Sequence, residues 1–107
     1  HDQDFLNKLD DCLEKNFSET GFGATQIGNA IAMSSRQLQR KLKALSDYSP
    51  SDYLREFRLK KAAQMLIDGR QISLVSDECG FSSPNQFSRC FKARFGMTPK
   101  KYQQNHC

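Results

Sequence analysis

Residues 34–53 of this chain return as residues 83–102, in register and without a gap. The segments SSRQLQRKLKALSDYSPSDY and SPNQFSRCFKARFGMTPKKY are identical at Ser34/Ser83, Gln37/Gln86, Arg40/Arg89, Lys43/Lys92, Ala44/Ala93, Pro50/Pro99 and Tyr53/Tyr102. Leu38/Phe87, Leu42/Phe91 and Ser49/Thr98 match in character. Shared helical periodicity explains the apolar matches, but it does not bring Arg, Lys, Pro and Tyr into register as well. Such a chain is built from two copies of one supersecondary unit, and its fold must seat them equivalently.

The periodicity throughout is helical, with no alternating strand pattern. Phe5, Leu6, Leu9, Cys12, Leu13 and Phe17 form an apolar stripe that predicts a first helix over 3–17, stopped by Gly21 and Gly23. Further helices are expected over 24–31, 34–45, 50–68, 73–79 and 84–95, with a last one from Pro99. Pro50 follows Ser49 at a first-turn position, and Gly69 closes the long helix that Pro50 opens. Seven helices joined by short connections make an all-α domain. At 107 residues, the chain has room for one domain and not for a two-domain enzyme. Because it opens on His1 and not Met, we expect it to be a piece of a longer protein.

Each repeat copy is preceded by a short helix and a tight turn, TQIGNAIAMS in the first and SLVSDECGFSS in the second, whose turn is one residue longer. A short helix, a turn and a longer helix with one apolar face is a helix-turn-helix arrangement. Ile27/Ile31 and Val75/Cys79 are placed to pack each short helix on its longer partner. On the longer helices, Leu38, Leu42 and Leu45, and then Phe87, Cys90 and Phe91, take the apolar side. Arg36, Gln39, Arg40 and Lys43 share the opposite side of the first, and Asn85, Gln86, Arg89, Lys92 and Ala93 that of the second.

These polar strips carry the chemistry of a DNA major groove. Arg can donate two parallel hydrogen bonds to guanine, and Asn or Gln pairs bidentately with adenine. No carboxylate occurs in 34–46 or in 79–107, whereas an ordinary surface helix mixes both signs. The base-contacting candidates are Arg36, Gln39, Arg40, Asn85, Gln86 and Arg89. Lys41, Lys43, Lys92, Arg94, Lys100 and Lys101 are cast as phosphate contacts, which position a protein without reading sequence. Ser34 and Ser83 look like N-caps with a Gln three residues on, a capping role that competes with base reading for Gln37 and Gln86. Arg55, Arg58, Lys60 and Lys61, on the long helix, are divided between solvated and salt-bridged roles. That helix, about 28 Å long at 1.5 Å per residue, could hold the two strips in adjacent grooves, which lie about 34 Å apart.

Charge and cysteine usage agree with this reading. Residues 1–33 carry two basic and six acidic side chains, whereas residues 34–107 carry fourteen basic and six acidic, so the net +4 is strongly segregated. Cys12, Cys79, Cys90 and Cys107 form no C-x-x-C pair and have no histidine at ligand spacing. We therefore expect no metal, no cofactor and reduced thiols, as in a cytoplasmic protein. His1 and His106 lie at the termini, and Asp77/Glu78 have no companion base, so no catalytic site is expected. A membrane role is disfavoured because the strips lack flanking Trp or large exposed apolar residues. The alternative function is a helical protein–protein module whose basic strips dock an acidic partner.

The segments SPSDYLREFRLKKAAQML and GFSSPNQFSRCFKARFGMTPKKY carry a resemblance to the AraC/XylS-type bacterial transcription regulators, extending over 22–103. The second segment matches the family's diagnostic stretch through Gly80, Phe81, Phe87, Arg89, Phe91, Lys92, Phe95, Gly96, Thr98, Pro99 and Tyr102. The resemblance implies a C-terminal DNA-binding domain with two helix-turn-helix units, 22–48 and 72–103, joined by a linker helix at 49–69, with 1–20 as a junction. It also implies binding to double-stranded promoter DNA, frequent contact with RNA polymerase, and a sensor or receiver region upstream. The family's base-reading positions fall on Arg36, Gln39 and Arg40, and on Pro84, Asn85, Gln86 and Arg89. Members commonly have Ala at Gly28 and Ser76, and Gly at Asp47. Gly28 within a helix is expected to cost about 1 kcal/mol relative to Ala and to loosen the first unit. The run from Arg40 to Leu66 is similar to members fused to two-component receiver or hybrid kinase modules.

Overall fold

The computed structural model describes residues 2–106; His1 and Cys107, which the sequence reading touched on, lie outside them. Seven α-helices occur among the described residues: α1 (Asp2–Asn16), α2 (Ala24–Ala30), α3 (Ser35–Ser46), α4 (Pro50–Ile67), α5 (Ile72–Glu78), α6 (Pro84–Phe95) and α7 (Pro99–His106). These bounds fall within one or two residues of the sequence expectation, and four of the helix starts have a chemical marker. Ser34, Ser49 and Ser83 accept hydrogen bonds from the backbone N–H of Gln37, Asp52 and Gln86. Thr98 does the same for Lys101, at 3.2 Å. Pro50, Pro84 and Pro99 open their helices, where no amide hydrogen is needed.

Two hydrophobic cores share helix α4. The first gathers Phe5, Leu9, Cys12 and Leu13 of α1 with Phe22, Ile27, Leu38, Leu42 and Leu54. The second gathers Leu59, Ala62, Ala63 and Leu66 of α4 with Val75, Cys79, Phe81, Phe87 and Phe91. At 100° per residue, Leu54 and Phe57 project from one side of α4, and Leu59, Ala63 and Leu66 from roughly the other. The linker helix is therefore built into both units. Its back half covers the second unit as α1 covers the first, so α1 is a structural part of the first core.

The duplication persists in the packing. Ile27 and Val75 are buried at equivalent positions, as are Leu38/Phe87 and Leu42/Phe91. Tyr53 packs on the first core and Tyr102 on the second. The second core is aromatic, with Phe91 in ring contact with Phe87, Phe95 and Tyr102 at centroid distances of 5.6, 4.5 and 5.1 Å.

The turns differ by one residue, and this overturns the expected looseness at Gly28. A Cβ on Gly28 would lie 2.6 Å from the carbonyl oxygen of Met33. The shorter first turn folds back onto α2, so its backbone needs the space that an alanine would fill. The longer second turn leaves room for Ser76, which is buried. Asp47 takes the left-handed conformation (φ 65°) that Gly96 takes after α6 (φ 79°), as a short polar side chain can.

Candidate nucleic-acid interface

Helices α3 and α6 are the second helices of the two turn motifs, each anchored by two fully buried side chains: Leu38 and Leu42 in α3, Phe87 and Phe91 in α6. Their opposite faces are open. Arg36, Gln39 and Arg40 on α3, and Asn85 and Arg89 on α6, are all exposed. Among the described residues, none of Arg36, Arg40, Arg89, Lys92, Lys100 or Lys101 enters an ion pair, whereas Arg55, Lys60, Lys61, Arg70 and Arg94 do. The cations of the two strips thus point to solvent, while most of those on α4 are neutralised at home.

The caps separate Gln37 from Gln86. Gln37 closes a complete capping box, its side-chain oxygen accepting from the Ser34 N–H at 3.1 Å while its own N–H donates to the Ser34 hydroxyl. Gln86 reaches one residue further back, accepting from the N–H and hydroxyl of Ser82 at 2.9 and 2.7 Å. The reciprocal box expected at Ser83 is therefore only half formed, because the extra turn residue puts Ser82 within reach.

The lysines and arginines cast as phosphate contacts fall into distinct settings. Lys92, Lys100 and Lys101 are exposed. Lys43 donates to the carbonyl of Asp47 at 2.9 Å, closing the end of α3, and Lys41 lies 4.9 Å above the Phe5 ring. Arg94 donates through Nε to both carboxylate oxygens of Glu56 on α4, at 2.7 and 3.0 Å. That hydrogen bonding raises the pKa of its guanidinium above the ordinary value.

Two residues take roles that the sequence did not assign them. Arg58 is half-buried and donates to the carbonyls of Phe17, Glu19 and Phe22, tying the α1–α2 loop to α4. Burial lowers its pKa from the ordinary value. Its register was the available signal: Leu54, Arg58 and Ala62 are spaced by four, which puts Arg58 on the buried stripe. Glu56 is the other. Only 14% of its side chain is exposed, and it meets Arg94 and, at 3.9 Å, Lys60.

The helix-turn-helix domain family profile matches residues 27–105. A transcriptional regulator structure from Chromobacterium violaceum, described as AraC-type DNA-binding domain-containing, superposes with a TM-score of 0.89 at 30% identity, covering 98% of this chain and 94% of that one. The chain belongs to the AraC-type helix-turn-helix family. Its AraC-type relatives include the transcriptional activator RhaS of Escherichia fergusonii, 34% identical over 100 residues, which are 92% of this chain and 36% of RhaS. Histidine kinase P4 of Formosa agariphila is also 34% identical, over 106 residues, covering 98% of this chain and 8% of that protein. The chain thus spans a minor part of these relatives. Members of the family are DNA-binding domains of transcription regulators, and the all-helical architecture with two turn motifs is theirs. No described helix is long and apolar enough to cross a membrane.

Proposed function

We propose that this AraC-type domain binds promoter DNA by laying α3 and α6 into successive major grooves on one face of the duplex. The observation that carries the reading is the pair of exposed, carboxylate-free cationic strips at the same register of a duplicated unit. Arg36, Gln39 and Arg40, and Asn85, Gln86 and Arg89, are the base-contacting side chains in this reading. Lys41, Lys43, Lys92, Lys100 and Lys101 contact phosphates; Arg94 is left out because Glu56 engages it. Helix α4 has 18 residues, about 27 Å at 1.5 Å per residue, within a domain 40 Å long. Those lengths suit a groove-to-groove repeat of about 34 Å.

The finer assignments rest on the same ground. The domain works in the cytoplasm, without a catalytic role of its own, as the output part of a longer regulator. The similarity to a histidine kinase more than ten times longer supports an upstream receiver or hybrid kinase module. RNA polymerase is the second partner that the family resemblance implies.

Fluorescence anisotropy on a duplex recovered by selection from a random library, against a scrambled duplex, tests the proposal. Five phosphate contacts predict a log–log salt slope of about −4 to −5, and a preference for the selected sequence of at least ~1000-fold. Salt-independent binding, or equal affinity for both duplexes, would refute it. Arg40→Ala and Arg89→Ala should each weaken DNA binding; if they leave it intact yet abolish capture of an acidic protein, the basic strips serve protein docking.

A further inference from the structure

We propose that Glu56 and Arg94 are positioning residues that set the angle of recognition helix α6 against the linker helix, and with it the half-site spacing the domain accepts. The inference rests on the two-groove reading above.

The repeat marks the position. Residue 94 of the second copy corresponds to residue 45 of the first, where Leu45 packs against the first core. Arg94 lies seven positions after Phe87, so helical geometry puts Arg94 on the flank of α6 that carries the buried Phe87. An arginine thus stands where the sister unit has a leucine; it stays exposed, and its guanidinium pairs with Glu56 of α4. Its partner is well chosen. Glu56 sits between Leu54 and Phe57, which serve the first core, and Leu59, which serves the second. A bond to Glu56 therefore links the second recognition helix to the turn of α4 that holds the first unit.

Phe87 and Phe91 seat one side of α6 on Leu59, Ala63 and Leu66 of α4, and the ion pair braces the open side of the same contact. Between the flank of α6 and the front of α4 runs an open groove of about 650 Å³, lined by Tyr48, Asp52, Arg55, Gln86 and Arg89 among others. Arg94 and Glu56 both line it, with the Arg94 Nε–H shared between both oxygens of a mostly buried carboxylate. With Arg94 itself exposed to solvent, the ion pair adds little to global stability, so the pair's value lies in geometry. Arg94 also leaves the phosphate-contacting set, which gives the proposal a readout that a merely structural role would not move.

The test is a spacing series on the selected duplex, with one base pair inserted or removed between the half-sites. It is run on the wild type, Arg94→Gln, Glu56→Gln and Arg94→Lys, with thermal melting to verify folding. The wild type should lose roughly tenfold or more in affinity at either altered spacing, comparable to a mismatched base pair. Arg94→Gln and Glu56→Gln should flatten that penalty to about threefold or less, and Arg94→Lys should restore part of it. The salt slope of Arg94→Gln should equal that of the wild type. A slope lower by about one in Arg94→Gln would make Arg94 a phosphate contact and overturn the proposal. So would variants that keep the full spacing penalty while the wild type shows it; that result leaves the two-groove reading standing. A wild type indifferent to spacing would remove the two-groove reading, and the proposal with it.

Discussion

Ala32 and Gly80 occupy the same place in the two turns, and substituting each tests the duplication at the level of the backbone. Both lie in the left-handed region, at φ 59° and φ 80°. An L-residue with a Cβ loses about 1–2 kcal/mol there, while glycine loses about 0.4–1 kcal/mol relative to alanine through the freedom of the unfolded chain. Ala32→Gly should therefore stabilise the domain by about 0.5–1 kcal/mol, raising its melting temperature by roughly 2–8 °C for a chain of this size. Gly80→Ala meets more than conformational strain. The new Cβ would lie 2.2 Å from the carbonyl oxygen of Phe17 and 2.9 Å from Nε of Arg58. Overpacking of that kind adds about 1–3 kcal/mol, so the total loss is about 3 kcal/mol and the melting temperature falls by at least ~10 °C. Urea unfolding followed by circular dichroism measures both changes. A destabilised Ala32→Gly, or a Gly80→Ala as stable as the wild type, would refute the argument that the two turns share one strained geometry.

Further outcomes follow from the same structure. Arg36→Ala and Arg89→Ala should each cost about 1–3 kcal/mol of affinity for the selected duplex and relax specificity at one base pair, with melting unchanged because both side chains are exposed; a binding titration with single-base variants checks this. Lys100→Ala should weaken binding to all sequences alike and lower the salt slope by about one. Phe91→Ala removes the ring at the centre of the second core and should cost about 3–5 kcal/mol in urea unfolding. Alkaline pH should destabilise the fold in two stages. Burial pushes the Cys79 thiol from 9.0 up to about 11, and burial with the Asp10 hydrogen bond pushes Tyr53 from 10.0 up to about 12. A raised folded-state pKa contributes stability that is full below the unfolded value and lost as pH climbs through the folded one. Stability should therefore fall between pH 9 and 11 for Cys79 and between pH 10 and 12 for Tyr53, and Tyr53→Phe should abolish the upper stage in pH-resolved melts.

Helices α3, α4, α6 and α7 were legible because they carry their own punctuation, a Ser or Thr cap and, in the last three, a proline at the first position, while α1, α2 and α5 were legible from apolar spacing and flanking glycines. The two polar strips were legible because the buried positions Leu38, Leu42, Phe87 and Phe91 leave only one outward face at 100° per residue. Less legible was anything that depends on how elements meet. Gly28 was taken as a weak point of α2, since a sequence carries no trace of the Met33 carbonyl that closes on it. Arg58 and Arg94 were sorted by charge alone, although their spacing from Leu54 and Phe87 set both on buried flanks. Only the tertiary arrangement supplies the backbone carbonyls and the carboxylate that receive them. The acidic α1, which the family resemblance implies is a junction, also buries Phe5, Leu9, Cys12 and Leu13 in the first core, as its apolar stripe foretold.

The central claim is that two copies of one unit meet one face of the same duplex. Guanine-N7 methylation interference on the selected duplex, combined with hydroxyl-radical footprinting of its backbone, tests this directly. The account predicts two major-groove patches centred about 10–10.5 base pairs apart on the same face, the first lost in Arg40→Ala and the second in Arg89→Ala. A single patch, or two patches on opposite faces, would contradict it.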